Sequence, residues 1–161
     1  MPVKPVRVIL DTNVVVRGIG NHLSPSGRVL ELCDQRMIVP LVSRAVIREY
    51  REILNDPQVI QHYPQVNPRM VESHLKRLAY LADMIRQVNI RFPFPRDPKD
   101  AKFIELAIAG NAGIIITCDR DILSLPEGAD DVSRRFRRRL PVIQVLRPDI
   151  FLQWIMRPLA N

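Results

Sequence analysis

The chain has 161 residues, of which 47% are hydrophobic and 25% are charged. These values are ordinary for a globular protein, and the length can bury a substantial core. No apolar run approaches the roughly 20 residues that a membrane span requires, and the first residues lack the layout of a signal peptide. We therefore expect one domain over residues 1–161, located in the cytoplasm and without contact with a membrane.

The net charge is +7, from 24 lysines and arginines against 17 acidic residues. Only four of the cations are lysines. Arginine can bind phosphate through two donors and can stack on bases, so this composition fits a nucleic-acid partner. A coding sequence that favours arginine codons explains the composition equally well, and both explanations stay open at this point.

The cysteines and histidines point to no site. Cys33 and Cys118 are too few and too far apart for a disulfide framework or a structural zinc site, and their apolar neighbours predict two buried thiols. The three histidines show no spacing typical of metal ligands. No arrangement suggests a catalytic triad built on a serine or cysteine nucleophile.

The first half of the chain alternates short apolar runs with helix-start signals. Residues 6–10 and 37–42 predict strands that are buried on both faces. Ser24-Pro25 predicts a helix start between them, because serine is a good N-cap and proline suits the first helical position. A helix is predicted over residues 44–54, and Asp56-Pro57 predicts the start of another.

The second half continues the same alternation. Asn67-Pro68 starts a predicted helix whose apolar stripe is Val71, Leu75, Leu78, Ala82 and Ile85. Asp97-Pro98 starts another helix, and residues 113–117 and 141–145 predict further strands. Strands that alternate with helices predict an α/β fold with a mainly parallel sheet, in which ligands bind beyond the carboxyl ends of the strands.

Four acidic residues occupy positions that are unusual for solvated acids. Asp11 and Asp119 each follow an apolar strand, while Glu49 and Asp100 border the apolar stripes of their helices. Each also has a plain structural explanation. Asp11 could form a turn, and Asp119 could cap a short helix. Glu49 could pair with an arginine, and Asp100 could stabilise its helix by its favourable charge near the N-terminal end of the helix dipole. All four together are harder to explain in this way.

If these acids converge, they require a cation, because like charges in one site raise one another's pKa. A site of carboxylate oxygens without histidine or cysteine suits a hard ion such as Mg²⁺ or Mn²⁺. Such an ion can acidify a bound water and neutralise a phosphoryl oxygen, which is the chemistry of phosphodiester hydrolysis.

Four segments in chain order resemble the motifs of the PIN-domain family, most closely the toxin components of toxin–antitoxin systems. They are residues 8–16, with Asp-Thr-Asn after an apolar strand, and residues 43–54, 97–103 and 117–123. Residues 147–152 also resemble the closing segment of that family. Each motif is weak alone, but their order and surroundings make the resemblance strong over almost the whole chain.

The resemblance implies a single PIN-like domain, a three-layer α/β/α sandwich and Mg²⁺- or Mn²⁺-dependent cleavage of single-stranded RNA. It also implies an antitoxin partner and a possible homodimer. Asp11, Asp100 and Asp119 would hold the metal, and Glu49 would complete its shell or orient the attacking water. The supporting groups would be Asn13, Thr117 and Asp121. Cys118 departs from the glycine that is frequent before the fourth acid.

A basic run near the C-terminus surrounds one aromatic residue, Phe136, in a predicted loop. It could follow an RNA backbone while Phe136 stacks on a base, it could bind a protein partner, or it could contact nothing. Arg17 is a further candidate for binding phosphate. The arginines of the run are Arg134, Arg135, Arg137, Arg138 and Arg139.

The leading interpretation is a metal-dependent endoribonuclease. The alternative is a non-catalytic PIN-like module that binds RNA or protein, although such a module has no need of four acids in its cleft. A phosphatase with Asp11 as nucleophile is disfavoured, because Asn13 stands where a second acid is usual. DNA cleavage stays open, since it depends on groove shape and contacts to the 2′-hydroxyl.

Overall fold

The structure, a computed structural model, describes residues 4–158. Within them a five-stranded sheet is surrounded by helices. The strands are β1 (Val6–Leu10), β2 (Ile38–Val42), β3 (Asp83–Met84), β4 (Ile114–Ile116) and β5 (Gln144–Leu146). The helices are α1 (Thr12–Gly20), α2 (Pro25–Asp34), α3 (Arg44–Leu54), α4 (Pro57–His62), α5 (Pro68–Leu81), α6 (Ala101–Gly110), α7 (Arg120–Leu123), α8 (Asp131–Arg139) and α9 (Pro148–Ile155).

All the strand pairs are parallel, and the order across the sheet is β3-β2-β1-β4-β5. The first two connections step along the sheet in one direction, and the last two step in the other. Crossovers between parallel strands are right-handed. The helices that follow β1 and β2 therefore cover one face of the sheet, and those that follow β3 and β4 cover the other. Helix α9 follows β5 and packs against α2. The chain is therefore an α/β sandwich around a parallel sheet, as the sequence predicted.

The central strands β1 and β4 form the middle of the core. Residues 8–10 and 114–116 are almost completely buried, which accounts for their uninterrupted apolar sequence. The same core extends from Val8 to Phe151 and includes residues of most helices. The predicted strand over residues 141–145 is displaced, since β5 begins at Gln144.

The four predicted helix starts are confirmed. In each pair the first side chain accepts a hydrogen bond from a backbone N–H of the first turn, and proline follows it. The Asp97-Pro98 pair starts one turn of 3₁₀ helix (Pro98–Asp100), after which α6 begins at Ala101. The helix after Asn67 ends at Leu81, because Ala82 is already extended and leads into β3.

The predicted loop around Phe136 is a helix, α8. Asp130 caps it by accepting a hydrogen bond from the Ser133 N–H. Phe136 is 1% exposed and packs edge-on against Phe92, with 6.4 Å between the ring centroids. The prediction that Phe136 stacks on a base is therefore wrong.

No helix within residues 4–158 is long and apolar enough to cross a membrane. The ends of the predicted domain, residues 1–3 and 159–161, lie outside the described residues.

Candidate functional site

The site lies where β1 and β4 end side by side. Leu10 is aligned with Ile116, and the Asp11 N–H donates to the Ile116 carbonyl at 3.0 Å. Asp11 and Asp119 follow these neighbouring strands, so the parallel pairing brings the two predicted acids to one edge of the sheet. That edge is the carboxyl end, where α/β proteins bind their ligands.

Asp11 is only 4% exposed, and both of its carboxylate oxygens accept hydrogen bonds. Its Oδ1 accepts a hydrogen bond from the Thr12 N–H at 2.7 Å, and its Oδ2 accepts one from the Thr117 hydroxyl at 2.6 Å. Burial raises the pKa of Asp11, these two hydrogen bonds oppose the rise, and the nearby Asp119 and Glu49 add to it.

Thr117 connects the two strand-end acids. It is fully buried, and its hydroxyl donates to Asp11 while accepting a hydrogen bond from the Asp119 N–H at 2.9 Å. Asp119 in turn caps α7, because its Oδ1 accepts from the Asp121 N–H at 2.8 Å. Thr117 therefore links Asp11 with Asp119, while Asp121 contributes its backbone N–H to the same arrangement.

Three acids form the tightest group in the site. Asp97, Asp100 and Asp119 each offer a carboxylate oxygen, and these three oxygens lie within 4.8 Å of one another. The pKa of Asp100 is raised to about 8, first by burial, then by the hydrogen-bonded carboxyl of Asp119 and by the charges of Asp11 and Asp97. Such a group is stabilised by a cation.

Glu49 approaches from α3 with its charge already balanced. Its Oε1 lies 2.7 Å from the Lys102 Nζ, and its Oε2 accepts a hydrogen bond from the Thr12 hydroxyl. The side chain is only 14% exposed. The alternative explanation, in which Glu49 pairs with an arginine, is wrong, since its partner is Lys102 and Arg51 pairs with Glu72.

All five acids line one cleft together with Asn13. The cleft therefore contains the four acids that were predicted to hold the metal, and Asp97 in addition, whereas the predicted supporting acid Asp121 is not among its lining residues. Carboxylate oxygens without histidine or cysteine are the donor set that Mg²⁺ and Mn²⁺ prefer, so these residues fit such an ion.

Asp97 was overlooked as a site residue because its role as a helix cap explained it fully. The spacing of Asp97 and Asp100 was the available signal, since residues three apart at a helix start lie on the same side. The proline between them made the cap the more obvious interpretation.

Arg17 lies next to the segment that leads from β4 to Asp119. It is exposed, and its Nη1 is 3.9 Å from the Sγ of Cys118, the residue before Asp119. Cys118 is only half-buried, which corrects the prediction of two buried thiols, whereas Cys33 is buried as expected.

The predicted basic run divides into two kinds of arginine. Arg137 is half-buried, and its Nη1 donates to the carbonyls of Leu125, Pro126 and Gly128 at 3.4, 3.3 and 2.7 Å. This contact closes the turn before α8 and gives Arg137 a structural position. The other four are exposed on α8, namely Arg134, Arg135, Arg138 and Arg139.

Comparison with known proteins agrees with this geometry. The family model of the PIN domain matches residues 7–121, which is most of the chain and contains all five acids. An uncharacterized protein of Methanocaldococcus jannaschii is 29% identical over 120 residues, which cover 74% of this chain and 75% of that protein. The family match, the parallel sheet and the acidic cleft at its carboxyl edge lead to one conclusion: the chain belongs to the PIN domain family.

Proposed function

We propose that this protein is an endoribonuclease that hydrolyses phosphodiester bonds of single-stranded RNA with the help of Mg²⁺ or Mn²⁺. The observation that carries the proposal is the convergence of five carboxylates in one cleft, three of them with oxygens within 4.8 Å. Carboxylates repel one another and repel the phosphates of RNA unless a cation is present. A cleft with five of them is therefore poorly suited to bind RNA without a metal ion.

The residues of the cleft would have separate roles in metal binding, in orienting the water and in positioning the substrate. Asp100 and Asp119 would hold the ion, with Asp11 beside them either in direct contact or through water. A bound divalent ion supplies an acidified water and neutralises charge on a phosphoryl oxygen. Glu49 is fixed by Lys102 and Thr12 and would orient the attacking water, and Asn13 at the cleft wall would position the substrate.

The RNA would approach the cleft along α8. Arg96 precedes Asp97 and connects it with α8, since it donates to Ser124 Oγ at 2.9 Å and pairs with Asp130, the cap of α8. The exposed arginines of α8 lie between Arg134 and Arg139 and so span about 7.5 Å of the helix axis, which matches about two or three phosphates of a strand. Arg17, beside Cys118, would contact the RNA backbone.

The biological role that we propose is that of a toxin in a toxin–antitoxin pair. It rests on the resemblance of the four motifs to that branch of the family. Such a toxin requires an antitoxin protein that restrains it, and pairing of two copies as a homodimer belongs to the same proposal. The alternative is a PIN-like module that binds RNA or protein without cleaving it.

The test is cleavage of mixed single-stranded RNAs, and of DNAs of the same sequences, with Mg²⁺, Mn²⁺ or EDTA. We expect cleavage of RNA that EDTA abolishes. Asp11→Asn keeps the shape of the side chain but removes one charge from the site, and we expect it to reduce the rate by at least about 100-fold. Folded wild-type protein that binds RNA but cleaves nothing with either ion would establish the binding module instead. Preferential cleavage of DNA would replace the substrate in the proposal.

A further inference from the structure

Asp97 combines a structural contact with an oxygen that faces the acidic group. As the cap of the 3₁₀ turn it accepts a hydrogen bond at Oδ1 from the Lys99 N–H at 3.1 Å. Among the described residues its other oxygen accepts no hydrogen bond. Asp119 is also a helix cap, with Oδ1 occupied by the Asp121 N–H at 2.8 Å and its carboxyl beside that of Asp100. A capping acid of this kind is fixed in place and still has an oxygen for a ligand.

The remaining acids of the cleft have their oxygens engaged. Both oxygens of Asp11 accept hydrogen bonds, from the Thr12 N–H and the Thr117 hydroxyl. Both oxygens of Glu49 are also occupied, by Lys102 and by the Thr12 hydroxyl. An ion that enters the cleft therefore meets the least competition at Asp97, Asp100 and Asp119, whose oxygens are the ones already grouped together.

We propose that Asp97 is a direct ligand of the divalent ion, together with Asp100 and Asp119, while Asp11 and Glu49 surround this group. The inference rests on the proposed function only in requiring that the cleft takes a divalent ion. It adds a fifth acid to the four that the motifs indicate, and it makes the helix cap before α6 part of the metal site. Proline at the next position holds the cap in the geometry that serves both tasks.

The test exploits a second aspartate with the same structural task. Asp56 also precedes a proline, caps a helix and accepts a hydrogen bond from the N–H two residues later, at 2.8 Å, but it lies at the start of α4. Asparagine caps helices as well as aspartate does, so Asp97→Asn and Asp56→Asn each remove one charge and keep the cap. Asp119→Asn serves as the positive control for loss of a ligand.

The measurement is Mn²⁺ binding by titration calorimetry, without RNA, for the wild type and the three variants. We expect Asp97→Asn to weaken Mn²⁺ binding by about tenfold or more, as Asp119→Asn does, because a ligand charge is lost. Asp56→Asn should bind Mn²⁺ as the wild type does. Thermal unfolding in EDTA, recorded for every variant, verifies that each is folded.

Each outcome decides the inference. If Asp97→Asn binds Mn²⁺ as tightly as Asp56→Asn, Asp97 is only a cap and the inference is overturned, while RNA cleavage by the wild type can still stand. If the wild type and variants bind Mn²⁺ as expected but the wild type cleaves no nucleic acid, the proposed function fails alone. If the wild type binds no divalent ion, both fail.

Discussion

Two acids of the cleft, Glu49 and Asp100, differ in how their negative charge is balanced. Glu49 has Lys102 at 2.7 Å, whereas Asp100 is surrounded by the carboxyl groups of Asp119, Asp11 and Asp97. Charge that is balanced inside the protein needs no ion, and charge that is opposed by other acids does. The divalent ion therefore has most to stabilise at Asp100, and the same imbalance makes the metal-free protein sensitive to pH.

We expect metal-free protein to lose stability as the pH rises from about 4 to about 8. The pKa of Asp100 is about 8 in the folded state and 3.8 as its ordinary value. Below pH 4 both states are protonated, and between these values the folded state binds more protons than the unfolded state, so the free energy of unfolding falls with rising pH. Burial raises the pKa of Asp11 as well, which acts in the same direction.

Melting temperatures in EDTA at pH 5 and pH 8 measure this effect. Asp100→Asn removes the titrating group, so its melting temperature should fall less between the two pH values than that of the wild type. Mg²⁺ added at pH 8 should restore the wild type more than the variant. An equal fall in both proteins would show that Asp100 does not titrate in this range.

At the scale of elements, α8 shows that adjacent arginines can have different tasks. Arg137 points its guanidinium at three carbonyls of the turn that precedes the helix. Arg138 is exposed on the same helix. One residue of sequence therefore separates a side chain that holds the fold together from one that is available to a ligand.

Arg137→Met and Arg138→Met should have opposite consequences. The first removes hydrogen bonds from half-buried carbonyls and should lower the free energy of unfolding by about 1–2 kcal/mol. The second should leave stability within about 0.5 kcal/mol, as is usual for a surface change, and weaken RNA binding instead. Urea unfolding and fluorescence anisotropy with labelled RNA measure the two effects. Equal stability of the two variants would contradict the role that we assign to Arg137.

The elements that sequence reasoning predicted are those determined by local chemistry. Strands that are buried in a parallel sheet must be apolar throughout, so residues 6–10 could be recognised as a strand. A capping residue followed by proline indicates a helix start without any information from distant segments, so the four caps could be recognised as well. The acids after β1 and β4 were evident for a related reason, since a carboxylate at the end of an apolar strand is conspicuous.

The elements that escaped prediction depend on contacts between distant segments. Strand β3 has two residues and exists through its pairing with β2. In α8 and at the residue that follows it, the dense positive charge concealed an apolar stripe of Val132, Phe136 and Leu140, spaced four residues apart. Asp97 was recognised only as a cap, because the proximity of Asp119 is produced by the sheet and is absent from the local sequence.

At the scale of the whole molecule, five of the 17 acidic residues line one cleft of a protein whose net charge is +7. RNA would be attracted by the basic surface and repelled by the cleft until an ion enters it. We therefore expect RNA binding to require both a divalent ion and the arginines of α8, and to depend strongly on salt.

The salt dependence of RNA binding tests the proposed role of α8. In an Asp11→Asn background with saturating Mg²⁺, the logarithm of the binding constant should fall linearly with the logarithm of the salt concentration. Replacing the four exposed arginines of α8 with alanine should reduce this slope by about 3, since each phosphate contact on a single strand contributes about 0.7. Four exposed arginines elsewhere provide a control with the same change in net charge, namely Arg28, Arg36, Arg69 and Arg86. If both sets reduce the slope equally, RNA responds to the total charge of the protein, and α8 is not its binding surface.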